Sequence, residues 1–278
     1  MSRVRALLMA CHPLPTLAVT VVGGALGGAV GLSAGRLLVL VAAILTGQLS
    51  IGWSNDVLDA ERDRRSGRTD KPLAVGSIDR RTATLATGIA VLLAVAFALA
   101  LGGWAGGAAL SIVACGWAYN LGLRSTVLSF LPYAIAFGAL PAVATLALPT
   151  APLPAWWAVA AGSMLGVGAH LLNVLPDLEQ DAANGIRGLP HRLGPGPSTG
   201  CAVLLVLGAA AALLFGPVGP VPPWRWIAFG AMVAGAAGVA VLQRRGPAGR
   251  WLFKALIVGA AIDVVLFAVS GTGMTTGS

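Results

Sequence analysis

Two short stretches of the sequence hold most of its acidic side chains. The pattern Asn-x3-Asp-x-Glu-x-Asp-x3-Gly runs from Asn55 to Gly67 and returns 118 positions later, from Asn173 to Gly185. The chain has ten Asp and Glu residues, and seven of them fall within these two windows. Carboxylates gathered so closely in an otherwise apolar chain indicate that a cation binds there.

The spacing within each window predicts one acidic face of a helix, because residues four apart lie on the same side of a helix turning about 100° per residue. Mg2+ would relieve the repulsion between such carboxylates and would share substrate phosphate oxygens. The alternative is a solvated, salt-bridged surface, since arginines alternate with the acids, but two matching copies favour the metal. The expected metal ligands are Asn55, Asp56, Asp59, Asp63, Asn173, Asp177 and Asp181.

The composition predicts a polytopic membrane protein with a single domain spanning residues 1–278. The chain is 57% hydrophobic and 10% charged, and its mean hydropathy is +0.84, which is far too apolar for a soluble domain. The basic residues lie beside the apolar segments rather than on a separate soluble face, so nucleic acid is not an expected partner. The three cysteines have no CxxC spacing and are interpreted as packing residues.

Apolar stretches near the length of a membrane span predict nine helices and no strands. The N-terminal run is interpreted as the first span rather than a signal peptide, because no small-residue cleavage site precedes a soluble body. The predicted spans are 14–32, 37–55, 82–101, 104–121, 127–148, 155–175, 199–216, 226–242 and 251–270.

The distribution of basic residues predicts the orientation of these helices. With a cytoplasmic N-terminus, only Arg36 and Arg225 of the eighteen Lys and Arg residues lie outside. Both acidic windows then emerge on the cytoplasmic side of a bacterial cell membrane, followed by the loops at 64–81 and 182–198. Pro72 and Pro190 match at the same offset, so the chain is expected to contain two pseudo-repeated helix–loop units.

An acidic face that holds Mg2+, followed by basic residues on the next loop, is what a diphosphate requires. At a membrane, the expected substrate is an isoprenyl diphosphate, whose tail enters from the lipid while its head group meets the two acidic windows. The basic residues expected to bind the diphosphate are Arg68, Lys71, Arg124 and Arg187.

Several motifs resemble those of one known family. These are Asn55-Asp56-x2-Asp59-x3-Asp63, the loop from Gly67 to Leu73, Asp177-x3-Asp181 before Gly185, and the segment from Tyr119 to Arg124. Over most of its length the chain resembles the UbiA superfamily of intramembrane prenyltransferases. The resemblance implies nine helices around a central cavity, two Mg2+ ions and transfer of a prenyl group from its diphosphate. One departure is Cys11-His12-Pro13, where many members carry an Arg-Pro or similar pair.

On this resemblance, the residues expected to carry the reaction are Asp56, Asp59, Asp177, Asp181 and Arg124. Six further residues are candidates for the cavity, and three of them have a structural alternative. His12 is otherwise a capping or packing residue, His170 an interhelical histidine and Asp263 a protonated or paired carboxyl. Trp53 and Trp117 are expected to line the site or to stabilise a cation, and Tyr119 belongs to the resemblance itself.

Three functions remain open at this point. The first is an Mg2+-dependent prenyltransferase with a small hydrophobic or aromatic acceptor, such as a quinone precursor. The second is a terpene cyclase of the same fold, which needs no acceptor because an alkene of the prenyl chain is the nucleophile. The third is a cation transporter, which the position of the carboxylates at one rim disfavours. The enzyme is favoured over the transporter, and the transferase over the cyclase.

Overall fold

The fold is entirely helical in the residues that the structure, a computed structural model, describes. These are residues 2–244, 265 and 273–275, with side chains up to residue 238 in the first range. Pro154 and Thr275 form an isolated bridge, and the described part of the chain contains no strand. The helices are α1 (Arg3–Ala10), α2 (Pro13–Ala29), α3 (Ala34–Arg65), α4 (Arg80–Leu101), α5 (Gly103–Leu121), α6 (Leu131–Leu146), α7 (Trp156–Val174), α8 (Leu178–Ala183), α9 (Leu189–Leu193), α10 (Pro195–Phe215) and α11 (Pro223–Arg244).

In the part of the chain that the structure describes, five helical segments are long and apolar enough to cross a membrane, and α1 with α2, bent by 64°, makes a sixth if the pair counts as one span. Large apolar side chains such as Leu92, Leu99 and Leu204 point outward, as expected for contact with lipid. Eight of the predicted spans coincide with long helices. The ninth, at 251–270, lies outside the described residues together with Asp263, so the count of nine stays a prediction.

The long helices pack mostly against their neighbours in sequence, and α2 closes the bundle by contacting both α3 and α6. Small residues allow the closest approaches between these elements. A Cβ on Gly52 of α3 would lie 2.2 Å from the carbonyl oxygen of Cys11, so only glycine lets the break between α1 and α2 rest on α3. A Cβ on Gly162 of α7 would similarly lie 2.5 Å from the carbonyl oxygen of Phe137 in α6.

The first acidic window lies on the extended end of α3. This helix has 32 residues, or about 48 Å at 1.5 Å per residue, so it exceeds the membrane core of about 30 Å. Asp56, Asp59 and Asp63 are buried on one side, while Glu61 is exposed. The predicted acidic face is therefore present in this copy.

The second acidic window is interrupted by a 3-10 turn within the helical segment Trp156–Ala183, so it is not the regular helix that the spacing predicts. Helix α7 ends at Val174, a 3-10 turn spans Leu175–Asp177, and α8 begins at Leu178. Pro176 lies in the turn, and its nitrogen cannot donate the hydrogen bond that would continue α7. Asp177 therefore lies at the end of the 3-10 turn, and Asp181 lies on the short helix α8.

Candidate active site

A cavity of about 660 Å³ opens between the helices at the end of the bundle that carries both acidic windows. Its walls come from α2, α3, α5, α6 and α7 and from the loops that follow the two windows. The predicted site residues that line it are His12, Asn55, Asp59, Asp63, Arg68, Lys71, Tyr119, Arg124, His170, Asn173, Asp177 and Asp181. The structure thus brings twelve of the predicted residues to one cavity.

Asp59 lies between two arginines. Both terminal nitrogens of the Arg124 guanidinium donate to its two carboxylate oxygens, the Nη1 bond measuring 2.6 Å. Arg62, one turn further along α3, places Nη2 2.6 Å from Oδ2 of the same carboxylate. The pair is largely shielded from solvent, with side-chain exposures of 13% for Arg124 and 6% for Asp59. A bidentate arrangement of this kind needs the planar fork of arginine.

Asp56 forms a second charged group with Lys71 and His12. Lys71 Nζ donates to Asp56 Oδ1 over 2.6 Å, and His12 Nε2 lies 3.1 Å from the same oxygen. The other oxygen, Oδ2, is buried and has no hydrogen-bond partner among the described residues. His12 is the second of the two residues between α1 and α2 and has φ 55°, a conformation that costs on the order of 1 kcal/mol outside glycine. It does not cap α2 with its side chain.

The carboxylates of the second window lack such cationic partners. Within the described residues Asp177 has no ion pair, and Asp181 has only His191, whose Nε2 lies 3.6 Å from Oδ2. Burial lowers the pKa of the His191 imidazole, although the Asp181 charge acts in the opposite direction. No arginine or lysine pairs with Asp177 or Asp181 within the described residues, so the two windows differ in how their charge is balanced.

Arg68 links the loop after the first window to the second window. It holds Asp70 through two hydrogen bonds of 2.7 and 2.6 Å, which lower the pKa of that carboxyl to about 2 and raise the pKa of the guanidinium. Its Nη1 also reaches Gln180 of α8 at 3.5 Å. Asp70 thus orients Arg68 at the rim of the cavity.

The turns that end the two windows are built alike and touch one another. Gly67 and Gly185 both adopt positive φ, 67° and 78°. The amides of Arg68 and Ile186 donate to the carbonyls of Asp63 and Asp181, which are equivalent positions at the offset of 118. Ser66 Oγ then donates to Asn184 Oδ1 over 2.9 Å, and these two residues are also equivalent. The contact places both loops at the same end of the bundle.

An aromatic group forms a deeper part of the cavity wall. Tyr119 and Tyr133 meet edge to face with centroids 5.3 Å apart, and the His170 ring lies 4.8 Å from that of Tyr133. His170 Nε2 is 3.0 Å from Ser129 Oγ, which also accepts the amide of Leu189. His170 is therefore an interhelical histidine whose ring also borders the cavity.

Oxygen-rich side chains around this cavity fit a hard divalent cation. The buried, unpartnered Oδ2 of Asp56 and the carboxylates of Asp177 and Asp181 are the ligand type that Mg2+ prefers. Within the described residues Asp177 has no ion pair, and Asp181 has only the contact with His191. In the described residues, no three His, Cys, Asp or Glu side chains converge closely enough to hold a metal by themselves. Substrate oxygens would have to complete such a site.

Four predicted residues do not line the cavity. Trp53 turns toward α1 and donates from Nε1 to the carbonyl of Leu7, and Trp117 donates from Nε1 to Ser50 Oγ. Asp56 lies behind the cavity wall and reaches it through Lys71. Arg187 lines a second, smaller cavity with Arg192 and His191.

The cavity residues that were not predicted from the sequence include Tyr133, Asn120 and His191. Tyr133 had a signal, because the chain has only two tyrosines and the other one was already a candidate. Asn120 donates to Ser54 Oγ and to the carbonyl of Ile51, so it ties α5 to α3 beside the first window. His191 follows Pro190 in the loop whose duplication was noted.

Comparison with known protein sequences identifies a family and a relative of this chain. The sequence model of the UbiA prenyltransferase family matches residues 16–261. The 33 kDa chain of bacteriochlorophyll synthase from Cereibacter sphaeroides is 30% identical over 168 residues, which are 57% of this chain and 55% of that protein. The match therefore spans about half the length of this relative.

Solved structures with the same fold cover nearly all of the chain. A structure of digeranylgeranylglyceryl phosphate synthase superimposes with a TM-score of 0.73 at 17% identity, covering 98% of this chain and 99% of that one. A UbiA homologue from Archaeoglobus fulgidus bound to GPP and Mg2+ gives 0.72 at 16% identity, with 96% and 99% covered. These likenesses establish the fold.

Proposed function

The chain belongs to the UbiA family of membrane prenyltransferases, and on that premise we propose that it is an Mg2+-dependent enzyme that ionises an isoprenyl diphosphate. The prenyl group is then transferred to a small acceptor, aromatic or a quinone precursor. The observation that supports this proposal is that residues of both acidic windows line one cavity together with Arg68, Lys71 and Arg124. This cavity lies at one end of an apolar helical bundle. The A. fulgidus homologue bound to GPP and Mg2+ supports the substrate class.

The residues of the cavity mouth suit the departure of a diphosphate. As the bond between the prenyl carbon and the diphosphate oxygen breaks, its electron pair leaves with the oxygen. Arg68, Lys71 and Arg124 place positive charge where this negative charge develops, which is usually the largest electrostatic contribution to catalysis. Bound Mg2+ would further neutralise the charge on the diphosphate oxygens. The residues that would hold the Mg2+ are Asp56, Asp59, Asp63, Asp177, Asp181, Asn55 and Asn173.

The deeper cavity suits the allylic cation that remains. The rings of Tyr119, Tyr133 and Phe137 border it, and aromatic faces stabilise a nearby cation. Apolar walls limit the access of water, so the cation persists until an acceptor carbon attacks it. The acceptor then loses a proton, and the aromatic ring is restored.

We further propose that this cavity faces the cytoplasm. The basic residues of the chain concentrate on the side of the acidic windows, and the positive-inside rule assigns that side to the cytoplasm. A soluble diphosphate product would then be released where it can be hydrolysed and recovered.

The experiment that tests the function uses purified protein in detergent or vesicles with Mg2+ and geranyl, farnesyl or geranylgeranyl diphosphate. Each reaction runs with and without candidate phenolic and quinone-precursor acceptors, and Asp177→Asn is the matched inactive control. We expect release of diphosphate and a prenylated product only when the acceptor is present. A hydrocarbon formed without acceptor would identify a cyclase, and cation flux without any turnover would identify a transporter.

A further inference from the structure

His191 stands out because its imidazole is enclosed but makes no hydrogen bond. Its side chain is 6% exposed, and neither ring nitrogen has a hydrogen-bond partner among the described residues. Leaving both nitrogens of a buried histidine unpaired is unfavourable, and native proteins seldom keep such a group without a reason. The ring borders the main cavity and the smaller cavity beside Arg187, and Nε2 lies 3.6 Å from Asp181 Oδ2.

The backbone, rather than the imidazole, fixes the position of this residue. His191 lies on the short helix α9, and the preceding Leu189 donates its amide to Ser129 Oγ over 2.9 Å. Gly188 packs so closely that an added Cβ would lie 2.5 Å from the carbonyl oxygen of Arg124. The loop is therefore docked through its main chain, and the ring is held near Asp181 without contributing a hydrogen bond of its own.

The matching position in the first window shows that packing alone does not require a histidine. At the offset of 118, His191 corresponds to Leu73, which is buried with 3% exposure. Asp181 corresponds to Asp63, which forms no ion pair within the described residues, while Asp59, the residue held by Arg62 and Arg124, corresponds to Asp177. An imidazole therefore lies beside Asp181 where the first window has only the side chain of a leucine.

We propose that His191 is a positioning residue for the second acidic window. This inference rests on the proposed function, because it assigns the residue a task in the metal and diphosphate site. His191 Nε2–H donates to one oxygen of Asp181 once a small rotation closes the 3.6 Å separation. The other oxygen of Asp181 then faces the cavity in a fixed orientation, as partners of metal-binding carboxylates generally arrange.

The test compares His191→Gln, His191→Asn and His191→Leu by the binding of Mn2+ in the presence of inorganic diphosphate, followed by electron paramagnetic resonance. The amide nitrogen of glutamine reaches the place of Nε2, whereas that of asparagine falls near Nδ1. We expect His191→Leu and His191→Asn to weaken Mn2+ binding about tenfold, as is usual when a hydrogen-bond partner of a metal ligand is removed. We expect the Mn2+ affinity of His191→Gln to stay within about threefold of the wild type. Wild-type thermal midpoints are expected throughout, since leucine fills the matching site.

Two results would overturn the proposal. Mn2+ binding by His191→Leu equal to that of the wild type would show that the ring does nothing for Asp181. Binding by His191→Gln as weak as by His191→Leu would show that the Nε2 donor is not what matters. Asp181→Asn separates this inference from the proposed function. If Asp181→Asn bound Mn2+ as well as the wild type, Asp181 would not be a metal ligand, and both the proposed function and the role of His191 would fail. If Asp181→Asn bound Mn2+ weakly while the His191 variants bound it normally, only the role of His191 would be refuted.

Discussion

At the scale of single residues, the carboxylates of the two acidic windows differ in their ion-pair partners. Asp59 is neutralised by two guanidinium groups and Asp56 by the ammonium of Lys71, all largely shielded from water. Asp177 is exposed to the cavity and has no ion pair within the described residues. Removing a carboxylate therefore has different structural consequences in the two windows, even though both are expected to serve the reaction.

We expect Asp59→Ala and Asp177→Ala both to abolish prenyl transfer but to differ in stability. Asp59→Ala leaves Arg124 without its bidentate partner in a site that is 13% exposed, and an uncompensated buried charge costs about 3 kcal/mol. Asp177→Ala removes an exposed group and should change the free energy of unfolding by less than about 0.5 kcal/mol. Thermal unfolding in detergent measures the difference, and equal midpoints would contradict the ion-pair argument.

Arg124 provides the second prediction at this scale. Arg124→Lys keeps the charge but cannot donate two parallel hydrogen bonds to Asp59 or to a diphosphate. Loss of one charged hydrogen bond, worth about 1.5–3 kcal/mol, should lower kcat/KM on the order of ten- to a hundredfold. Arg192→Lys is the control, because its side chain is exposed outside the main cavity. Wild-type turnover by Arg124→Lys, with normal insertion, would remove Arg124 from the site.

At the scale of elements, one proline gives the two acidic windows different backbone conformations. The sequence pattern predicted the first window correctly because α3 continues unbroken to Arg65. The same spacing failed in the second window because a periodic pattern ignores Pro176, whose missing N–H ends the helix at Val174. The result is a short helix α8 that meets the extended α3 through the contact between Ser66 and Asn184.

Pro176→Ala tests whether this break matters for the site. Restoring the N–H lets α7 continue, which would rotate Asp177 and Asp181 relative to the cavity. We expect Mn2+ binding in the presence of inorganic diphosphate to weaken at least tenfold while the protein stays folded. Pro197→Ala, in the first turn of α10 where proline is tolerated, is the matched control and should bind normally. Equal binding by the two variants would mean that the break has no part in the site.

At the scale of the whole molecule, the sequence was sufficient for the fold class and for the gathering of the two windows. Composition, span lengths and the duplicated motif all depend on local patterns, so a single sequence reveals them. The side-chain contacts within the site join segments that are distant in sequence. Arg124 contacts Asp59, 65 residues away in the sequence, and His12 contacts Asp56, 44 residues away. No local pattern encodes such contacts, which is why the pairing of Asp56 with Lys71 and the positions of Tyr133 and His191 in the cavity became visible only in the structure.

The fold predicts that the loops at 64–81 and 182–198 emerge on the same side of the membrane, because Ser66 bonds to Asn184. Single cysteines placed at Thr69 and Arg192, in a background without the three native cysteines, should react with a membrane-impermeant maleimide from the same face of oriented vesicles. A cysteine at Ser33, between α2 and α3, should react from the other face. Labelling of Thr69 and Arg192 from opposite faces would refute the arrangement of the site.

The ion pairs around Asp56 and Asp59 also limit which anions can bind in the cavity. Lys71 and Arg124 are paired with these carboxylates, so an anion must displace a carboxylate before it gains a contact. On the proposed function, a diphosphate that brings its own cation can offer both members of each pair a new partner. We expect a prenyl monophosphate or a prenyl alcohol to bind more weakly, because it has too few anionic oxygens to replace the carboxylates.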